Sequence, residues 1–234
     1  MNVNEGLGAL DVTFRYGDVA VLDHESFRVP RGDMLVVTGG NGVGKSTLLH
    51  MCAGLVAVQQ GSMRLDGHLP NVSRPSDLVR RGVRTGFVFQ QGGLVSNLNV
   101  LTNVKLALRY HADVFGLTEE SIDERAREAL DRVRIGESEL YALPAHLSFG
   151  TRKRVALARA IALRPNFMFF DDPDAGLDSA TSAVVRDLIL ACRDDPTITT
   201  LVCTNHRLLL DAIGTHPKEL CAGHLLAQTY GRVE

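Results

Sequence analysis

A glycine-rich loop between an apolar run and a helix-like stretch constrains this chain most strongly. Residues 39–46 read GGNGVGKS and follow directly after the apolar run Met34–Thr38. A continuous apolar run of this length is typical of a buried parallel strand, and the stretch Lys45–Leu55 has helical character. Glycines allow backbone N–H groups to converge on one anion, and a helix N-terminus adds the positive end of its dipole. We therefore predict that the loop binds phosphate groups.

The residues after the last glycine narrow the expected ligand to a nucleoside triphosphate. In the pattern G-x-x-x-x-G-K-[ST], the lysine reaches the β- and γ-phosphates and the next hydroxyl binds Mg²⁺. Lys45 and Ser46 occupy those positions, and Thr47 is placed to contact the α-phosphate. A glycine-rich turn without a ligand is disfavoured because both residues are present. The predicted phosphate-binding set is Gly39, Gly40, Asn41, Gly42, Val43, Gly44, Lys45, Ser46 and Thr47.

A second continuous apolar run ends in a carboxylate. Phe167–Phe170 is followed directly by Asp171. A carboxylate at the end of a buried strand can hold Mg²⁺ directly or through water, although on its own it would be interpreted as a turn residue. Together with the phosphate loop, it predicts that Ser46 and Asp171 share a Mg²⁺ ion.

Composition and charge favour a globular cytosolic protein. The 234 residues are 45% hydrophobic and 22% charged, with a formal net charge of −2. This balance argues against nucleic acid or an anionic membrane as the main partner. We expect no bilayer-spanning segment, and no secretory signal in residues 1–10. The four scattered cysteines are interpreted as small buried residues in a reducing compartment.

Apolar strands alternate with helical segments along the chain. Phe87–Phe89 and Thr199–Thr204 are two further buried-strand candidates, and Leu10–Val29 alternates as half-exposed antiparallel strands do. Strand signals vanish between residues 90 and 165. Helical periodicity is clearest there over Glu119–Val133 and Ser148–Leu163. The pattern predicts an α/β core with a helical insertion and a small antiparallel sheet beside it.

The stretch 147–160, LSFGTRKRVALARA, resembles the signature motif of ABC ATPases. In that family the motif begins a helix and contacts the γ-phosphate of ATP held by the opposite subunit. The resemblance implies that Ser148 and Gly150 bind ATP in this way. Ser148 also suits a helix N-cap. Without context, a capped amphipathic helix with its basic residues in solvent is the simpler interpretation.

Four further motifs occur in the order that this family requires. The resemblance implies that Gln90 senses Mg²⁺ and the attacking water, and that residues 175–178 (AGLD) form the D-loop at a dimer interface. It implies that His206 contacts the γ-phosphate. Tyr16 is placed to stack on adenine, with a half-buried strand tyrosine as the alternative. The metal-binding set thus becomes Ser46, Gln90 and Asp171.

The resemblance covers about residues 10–226 and implies a single ABC ATPase domain over residues 1–234. Its fold class is α/β, with a P-loop NTPase core, a small antiparallel β-subdomain and an inserted helical subdomain. The core is expected at about residues 8–90 and 166–234, and the helical subdomain at residues 91–165.

A narrower resemblance surrounds Gln90. Residues 87–100 (FVFQQGGLVSNLNV), residues 103–111 (NVKLALRYH) and residues 152–154 (RKR) are similar to the ATPases of Mla/Mce-type phospholipid transport systems. The implied partners are an integral-membrane permease, a second ATPase subunit in a homodimer, and substrate-binding or Mce-domain components, without nucleic acid. The implied location is the cytoplasmic face of the inner membrane, through the permease.

Two departures from the family pattern bear on activity. The glutamate that normally follows the strand-end aspartate is Asp172 here, one methylene shorter, and the second signature residue is Phe149 instead of glycine. We expect intact ATP binding with slow hydrolysis, in which Asp172, His206 and Gln90 are catalytic.

Several function classes stay open beside the transport motor. One is a catalytically weakened regulatory subunit of a heteromeric complex, and another is the motor of a different ABC importer or exporter. ABC proteins acting on ribosomes or DNA usually carry two nucleotide domains or long coiled-coil arms, which this chain lacks. A GTPase switch is disfavoured because residues 204–207 (TNHR) are not the guanine-selective [NT]-K-x-D.

Overall fold

A six-stranded sheet organises the molecule in a computed structural model of the chain, which describes residues 6–70, 73–74 and 76–227. Residues 1–5, which belong to the signal-peptide prediction, and residues 228–234, which end the predicted core, lie outside the described residues. The strands of this sheet are β3 (Met34–Thr38), β5 (Thr85–Val88), β6 (Phe167–Asp171), β7 (Thr199–Cys203), β8 (Lys218–Cys221) and β9 (His224–Ala227).

The order of this sheet is β5-β6-β7-β3-β8-β9. Its strands are parallel except for β9, which pairs antiparallel with β8. Strand β7 lies between β3 and β6, so Cys203 at its end is paired with both Val37 and Asp171. Parallel strands end at the same edge of the sheet, and this register therefore places the loops after β3, β6 and β7 side by side.

Both faces of the large sheet are buried at its central strands β6 and β7. In β6, Met168 and Phe170 join an apolar cluster with the helices, while Phe167 and Phe169 join a second cluster on the opposite face. A strand alternates its side chains with a period of two, so only a continuous apolar run can cover both faces. This explains why the predicted strands of the large sheet have no polar face.

A three-stranded antiparallel sheet packs beside the large one, in the order β2-β1-β4. It consists of β1 (Leu7–Tyr16), β2 (Val19–Val29) and β4 (Gln60–Leu65). The antiparallel pair expected over residues 10–29 is confirmed. Strand β4 and the β8–β9 hairpin were not predicted, because their short sequences carry several polar or charged residues and no continuous apolar run.

Helices and two 3₁₀ turns are the other regular elements of the described chain. They are α1 (Lys45–Cys52), α2 (Ser76–Arg80), α3 (Val100–Tyr110), α4 (Ala112–Phe115), α5 (Glu119–Arg132), α6 (Phe149–Ile161), α7 (Ser179–Asp194) and α8 (Arg207–Ile213), with 3₁₀ turns at Glu137–Glu139 and Pro144–His146. Residues 91–165 contain no strand. The predicted fold class is confirmed.

Some details differ from the sequence predictions. Helix α1 ends at Cys52 instead of Leu55, because Gly54 adopts a positive φ of 73°. Cys221 is exposed at the end of β8, whereas the other three cysteines are buried as expected. Among the described residues, no helix is both long and apolar enough to cross a bilayer.

Candidate functional site

The phosphate loop joins the end of β3 to the start of α1, as predicted. The Lys45 ammonium donates hydrogen bonds to the carbonyls of Gly39 (2.8 Å) and Gly40 (2.9 Å), so it lies over the concave side of the loop. Gly44 has a φ of 106°, and a Cβ there would lie 2.4 Å from Cγ1 of Val21. Only glycine is compatible with both the backbone conformation and this packing. The small antiparallel sheet, through Val21, therefore helps to shape the loop.

The predicted metal-binding pair is brought together at the edge of the sheet. The Ser46 hydroxyl donates a 3.0 Å hydrogen bond to Oδ1 of Asp171. Burial raises the pKa of the Asp171 carboxyl, and the Ser46 hydrogen bond opposes this rise. Hydroxyl and carboxylate oxygens are the donors that Mg²⁺ prefers, and Mg²⁺ normally takes few protein ligands. These residues fit the ion. Among the described residues, no group of three His, Cys, Asp or Glu could hold a metal by itself.

The loop that carries Gln90 is held by two cations of α6. The Lys153 ammonium donates to the carbonyls of Phe89 (3.0 Å) and Gln90 (2.9 Å). The Arg159 guanidinium donates to those of Gly93 (2.7 Å) and Gly92 (3.0 Å). Four carbonyls of residues 89–93 thus accept from a single helix. Helix α6 therefore holds the backbone of this loop at Gln90 and just after it.

Lys153 is 1% exposed, so the interpretation of this stretch as basic residues in solvent is wrong at this position. Burial lowers the pKa of Lys153 to about 8, although the charges of Asp171, Asp172 and Asp174 oppose that shift. Little in the sequence distinguishes Lys153 from its basic neighbours. Helical spacing was the available signal, because residues 153, 157 and 160 share a face with the apolar core.

Asp172 follows the strand-end carboxylate in a strained backbone conformation. Its φ is +42°, which is uncommon for a residue with a Cβ. Its N–H donates to the carbonyl of Cys203 (2.9 Å), which ties it to the end of β7. Within the described structure, the Asp172 carboxylate has no hydrogen bond or ion pair. The backbone is therefore fixed while the side chain is free to receive a ligand.

The loop after β7 is anchored on both sides. The Asn205 amide donates to the Gly39 carbonyl (2.8 Å) and accepts from the Gly39 N–H (3.1 Å). On its other side, Nδ1 of His206 contacts Oδ2 of Asp174, whose side chain is 2% exposed. The predicted His206 thus lies next to the phosphate loop. Sequence reasoning missed Asn205 and Asp174, since neither matches a motif that we used.

The signature stretch begins α6, as expected. Ser148 is the N-cap, and its hydroxyl accepts from the Thr151 N–H (3.0 Å). A Cβ on Gly150 would lie 2.6 Å from Oγ1 of Thr181, at the start of α7. Packing within the protomer is therefore enough to require a glycine at this position. Phe149 is 38% exposed and lies beside Gly176 of the predicted D-loop.

No hydrogen bond joins the signature to residues 39–47 within the described structure. Asp178 of the D-loop N-caps α7, accepting from the Thr181 N–H (2.8 Å), and these bonds lower the pKa of its carboxyl. Tyr16 ends β1 and packs edge-to-face on Phe14. It is 59% exposed, more than the half-buried alternative expects, and its stacking on adenine stays a prediction.

Comparisons with known proteins agree with this geometry. The family model described as ABC transporter matches residues 22–175. The intermembrane phospholipid transport system ATP-binding protein MlaF of Escherichia coli K12 is 37% identical over 181 residues, 76% of this chain and 65% of MlaF. The sulfate/thiosulfate import ATP-binding protein CysA of Bacillus cereus is 32% identical over 195 residues, 83% of this chain and 53% of CysA. The chain thus spans less than two thirds of the length of either relative.

A solved structure extends the agreement to the fold. The dimeric, post-hydrolysis state of the ATP-binding cassette MJ0796, bound to ADP and Pi, matches with a TM-score of 0.82 at 28% identity. The match covers 94% of this chain and 96% of that one. The family model alone covers more than half of the chain. The resemblance predicted from the motifs is confirmed, and the chain belongs to the ABC transporter family of ATPases.

Proposed function

We propose that two copies of this cassette close around two ATP molecules and use hydrolysis to drive an integral-membrane permease. The observation that carries the proposal is the division of the site. The phosphate loop and its metal pair are assembled in one protomer, while the signature N-cap, Ser148, makes no hydrogen bond to that loop. A second protomer is needed to bring a signature to each nucleotide. The dimeric relative with bound ADP and Pi supports this arrangement.

Within each site, the chain's own groups have separable roles. Lys45 transfers its hydrogen bonds from the loop carbonyls to the β- and γ-phosphates, while the backbone N–H groups of residues 40–44 bind the remaining oxygens. Ser46, Asp171 and Gln90 would hold Mg²⁺, which neutralises phosphate charge when it is bound. Asp172 takes the proton of the attacking water, and His206 contacts the γ-phosphate. Tyr16 stacks on the adenine ring.

Phospholipids are the cargo class that we propose. The support is the similarity to MlaF, together with the resemblance of residues 87–100 and 103–111 to the ATPases of Mla/Mce-type systems. Partners would then be a permease and substrate-binding or Mce-domain components, and the cassette would lie on the cytoplasmic face of the inner membrane. CysA is nearly as similar, so the motor of another importer is the second candidate.

A weakened regulatory subunit is the other candidate, and two specific residues favour it. Asp172 is shorter than the family's glutamate, and Phe149 replaces a signature glycine. Such a subunit would bind ATP and close the dimer without turning over.

The test combines co-purification with turnover. The tagged chain, expressed in its own host, should retain a permease and an Mce-domain protein in detergent. The complex should hydrolyse Mg-ATP faster when reconstituted with phospholipid. Retention of a sulfate-type permease would overturn the lipid assignment. A stable ATP-bound dimer without turnover would instead establish the regulatory subunit.

A further inference from the structure

A cavity of about 370 Å³ lies at the edge of the large sheet opposite the phosphate loop. Its lining includes Arg84, Asn166 and Ile198, which directly precede β5, β6 and β7. Because these strands are parallel, their amino ends share one edge of the sheet, and the phosphate loop lies at the other edge. The cavity is therefore separate from the nucleotide site, and its volume is that of a small-molecule site.

The polar part of the cavity wall is mainly cationic. Four guanidinium groups line it, those of Arg31, Arg84, Arg132 and Arg164. Among the described residues of the lining, Asp195 is the one carboxylate. It accepts from the N–H (2.9 Å) and the hydroxyl (2.6 Å) of Thr197, and it makes no ion pair within the described structure. The cavity thus concentrates positive charge in a chain whose formal net charge is −2.

Most of this charge has no counter-ion in the described part of the protein. Arg164 forms an ion pair with Glu128 (3.0 Å), and Nε of Arg84 donates to the neutral carbonyl of Arg164 (2.8 Å). In the described structure, the guanidinium groups of Arg31 and Arg132 make no hydrogen bond or ion pair. Like charges at one place repel each other, so an anion that enters the cavity is attracted by several groups at once.

Backbone contacts order two of these arginines without a ligand. The Asn166 side chain accepts from the N–H of Arg84 (2.8 Å), which holds the start of β5. The turn before β3 is packed tightly, because a Cβ on Gly32 would lie 2.3 Å from the carbonyl oxygen of Pro196. Arg31, the preceding residue, therefore leaves a fixed backbone. A backbone that is ordered in advance lowers the entropic cost of binding.

The remainder of the cavity wall is largely apolar. Ile161, Met168 and Leu188 line it and are buried, whereas three of the four arginines are exposed. Burial also raises the pKa of the Cys192 thiol in the lining to about 12, so this group is neutral. The cationic groups thus surround the opening of a cavity with an apolar base. This arrangement matches a ligand that joins an anionic group to an apolar body.

We propose that this cavity binds a small organic phosphate, with its phosphate group on Arg31, Arg84 and Arg132 and its apolar body against Met168 and Leu188. A phosphate offers oxygens to several guanidinium groups, whereas one carboxylate is satisfied by a single bidentate arginine. The volume of the cavity limits the ligand to a small molecule. The inference goes beyond the proposed transport function and does not depend on it.

The test titrates the full chain with 1-naphthyl phosphate, which carries one phosphate on an apolar ring system. We expect the ¹³C-methyl resonances of Ile161, Met168 and Ile198 to shift, and their titration gives the affinity at this cavity. The double variant Arg31→Gln/Arg132→Gln removes two charges without breaking a hydrogen bond of the described structure. It should bind at least about tenfold more weakly, the loss expected for a charge-assisted hydrogen bond. The shifts should persist in Lys45→Ala, which excludes the phosphate loop as their source.

Arg80→Gln is the matched control. Arg80 is exposed, makes no hydrogen bond or ion pair within the described structure and does not line the cavity, so this variant should bind the probe like the wild type. Inorganic phosphate and 1-naphthol each carry one part of the probe, and both should bind at least about tenfold more weakly than the whole.

Several results would overturn the inference. They are no methyl shift at millimolar probe, shifts that vanish in Lys45→Ala, and equal affinity in the wild type and the double variant. Binding of 1-naphthol as tight as that of the probe would remove the role of the arginines. Equally tight binding of inorganic phosphate would remove the apolar body from the assignment.

Discussion

The Ser46 hydroxyl donates a 3.0 Å hydrogen bond to Asp171, although 125 residues separate the two in sequence. The reason is the strand order: β7 lies between β3 and β6, so the loop after β3 and the carboxylate that ends β6 emerge at one edge. A nucleotide phosphate chain and its metal would bind between two groups that the sheet has already aligned.

Lys45→Ala should weaken ATP binding and abolish turnover. The ammonium now bonds to the carbonyls of Gly39 and Gly40, within reach of phosphates in the loop. Loss of a charge-assisted hydrogen bond costs about 1.5–3 kcal/mol, or roughly 10- to 150-fold in affinity. Isothermal titration with ATP and a turnover assay measure both effects. Lys105→Ala, in the distant α3, is the matched control, and equal affinity in the two variants would remove the phosphate-loop assignment.

The phosphate loop and the metal-binding Asp171 were predictable because each is marked by residues that are neighbours in sequence. A strand, a glycine loop and Lys45-Ser46 are adjacent in sequence, and so are the apolar run and Asp171. Lys153 and Asp174 were not predictable in the same way. The burial of Lys153 depends on carbonyls 63 and 64 residues away, and the contact of Asp174 with Thr204 joins it to a loop about 30 residues later. Such contacts follow from the sheet order, which no short motif encodes.

Ser148→Arg should block ATP-dependent dimerisation and leave the ATP affinity of the monomer unchanged. The reason is that Ser148 makes no hydrogen bond to its own phosphate loop, whereas an arginine there would obstruct a nucleotide presented by a partner. Ser148→Ala is the control, since both variants lose the N-cap bond to Thr151, a cost of about 1 kcal/mol. Light scattering with Mg-ATP reports dimers. Dimerisation of the arginine variant at the wild-type ATP concentration would contradict a role in trans.

Lys153→Met should loosen the loop that carries Gln90. The carbonyls of Phe89 and Gln90 lose their donor, while Arg159 still holds the far end of the loop. We expect faster amide hydrogen exchange in residues 90–94 and a turnover reduced roughly tenfold, consistent with misplacement of a positioned group. Arg154→Met removes a cation of the same helix that bonds to residues 133 and 134 instead. Equal exchange in the two variants would show that Lys153 does not hold the loop.

Stability should rise with pH through the titration of Lys153. Burial lowers the pKa of this group to about 8 from its usual value of 10.5. Between these two values the unfolded chain binds more protons than the folded chain, so the free energy of unfolding increases with pH. Relative to Lys153→Met, the wild type should gain up to about 3 kcal/mol from pH 8 to pH 10.5. Urea denaturation of both proteins across that window gives the difference, and a flat or falling difference would contradict the shift.

Asp172 decides whether this cassette is a motor or a regulatory subunit. If Asp172 is the working base, Asp172→Asn should reduce turnover by about 10²- to 10⁴-fold, because a positioned base contributes that much. Asp172→Glu should maintain or raise the rate by restoring the missing methylene. The positive φ of residue 172 suits asparagine as well as aspartate but not glutamate, so the stability of the glutamate variant is measured beside its rate. The measurement is turnover of wild type and both variants at saturating Mg-ATP with the permease present. If all three rates are equal, ATP serves only to close the dimer, and the regulatory assignment replaces the motor.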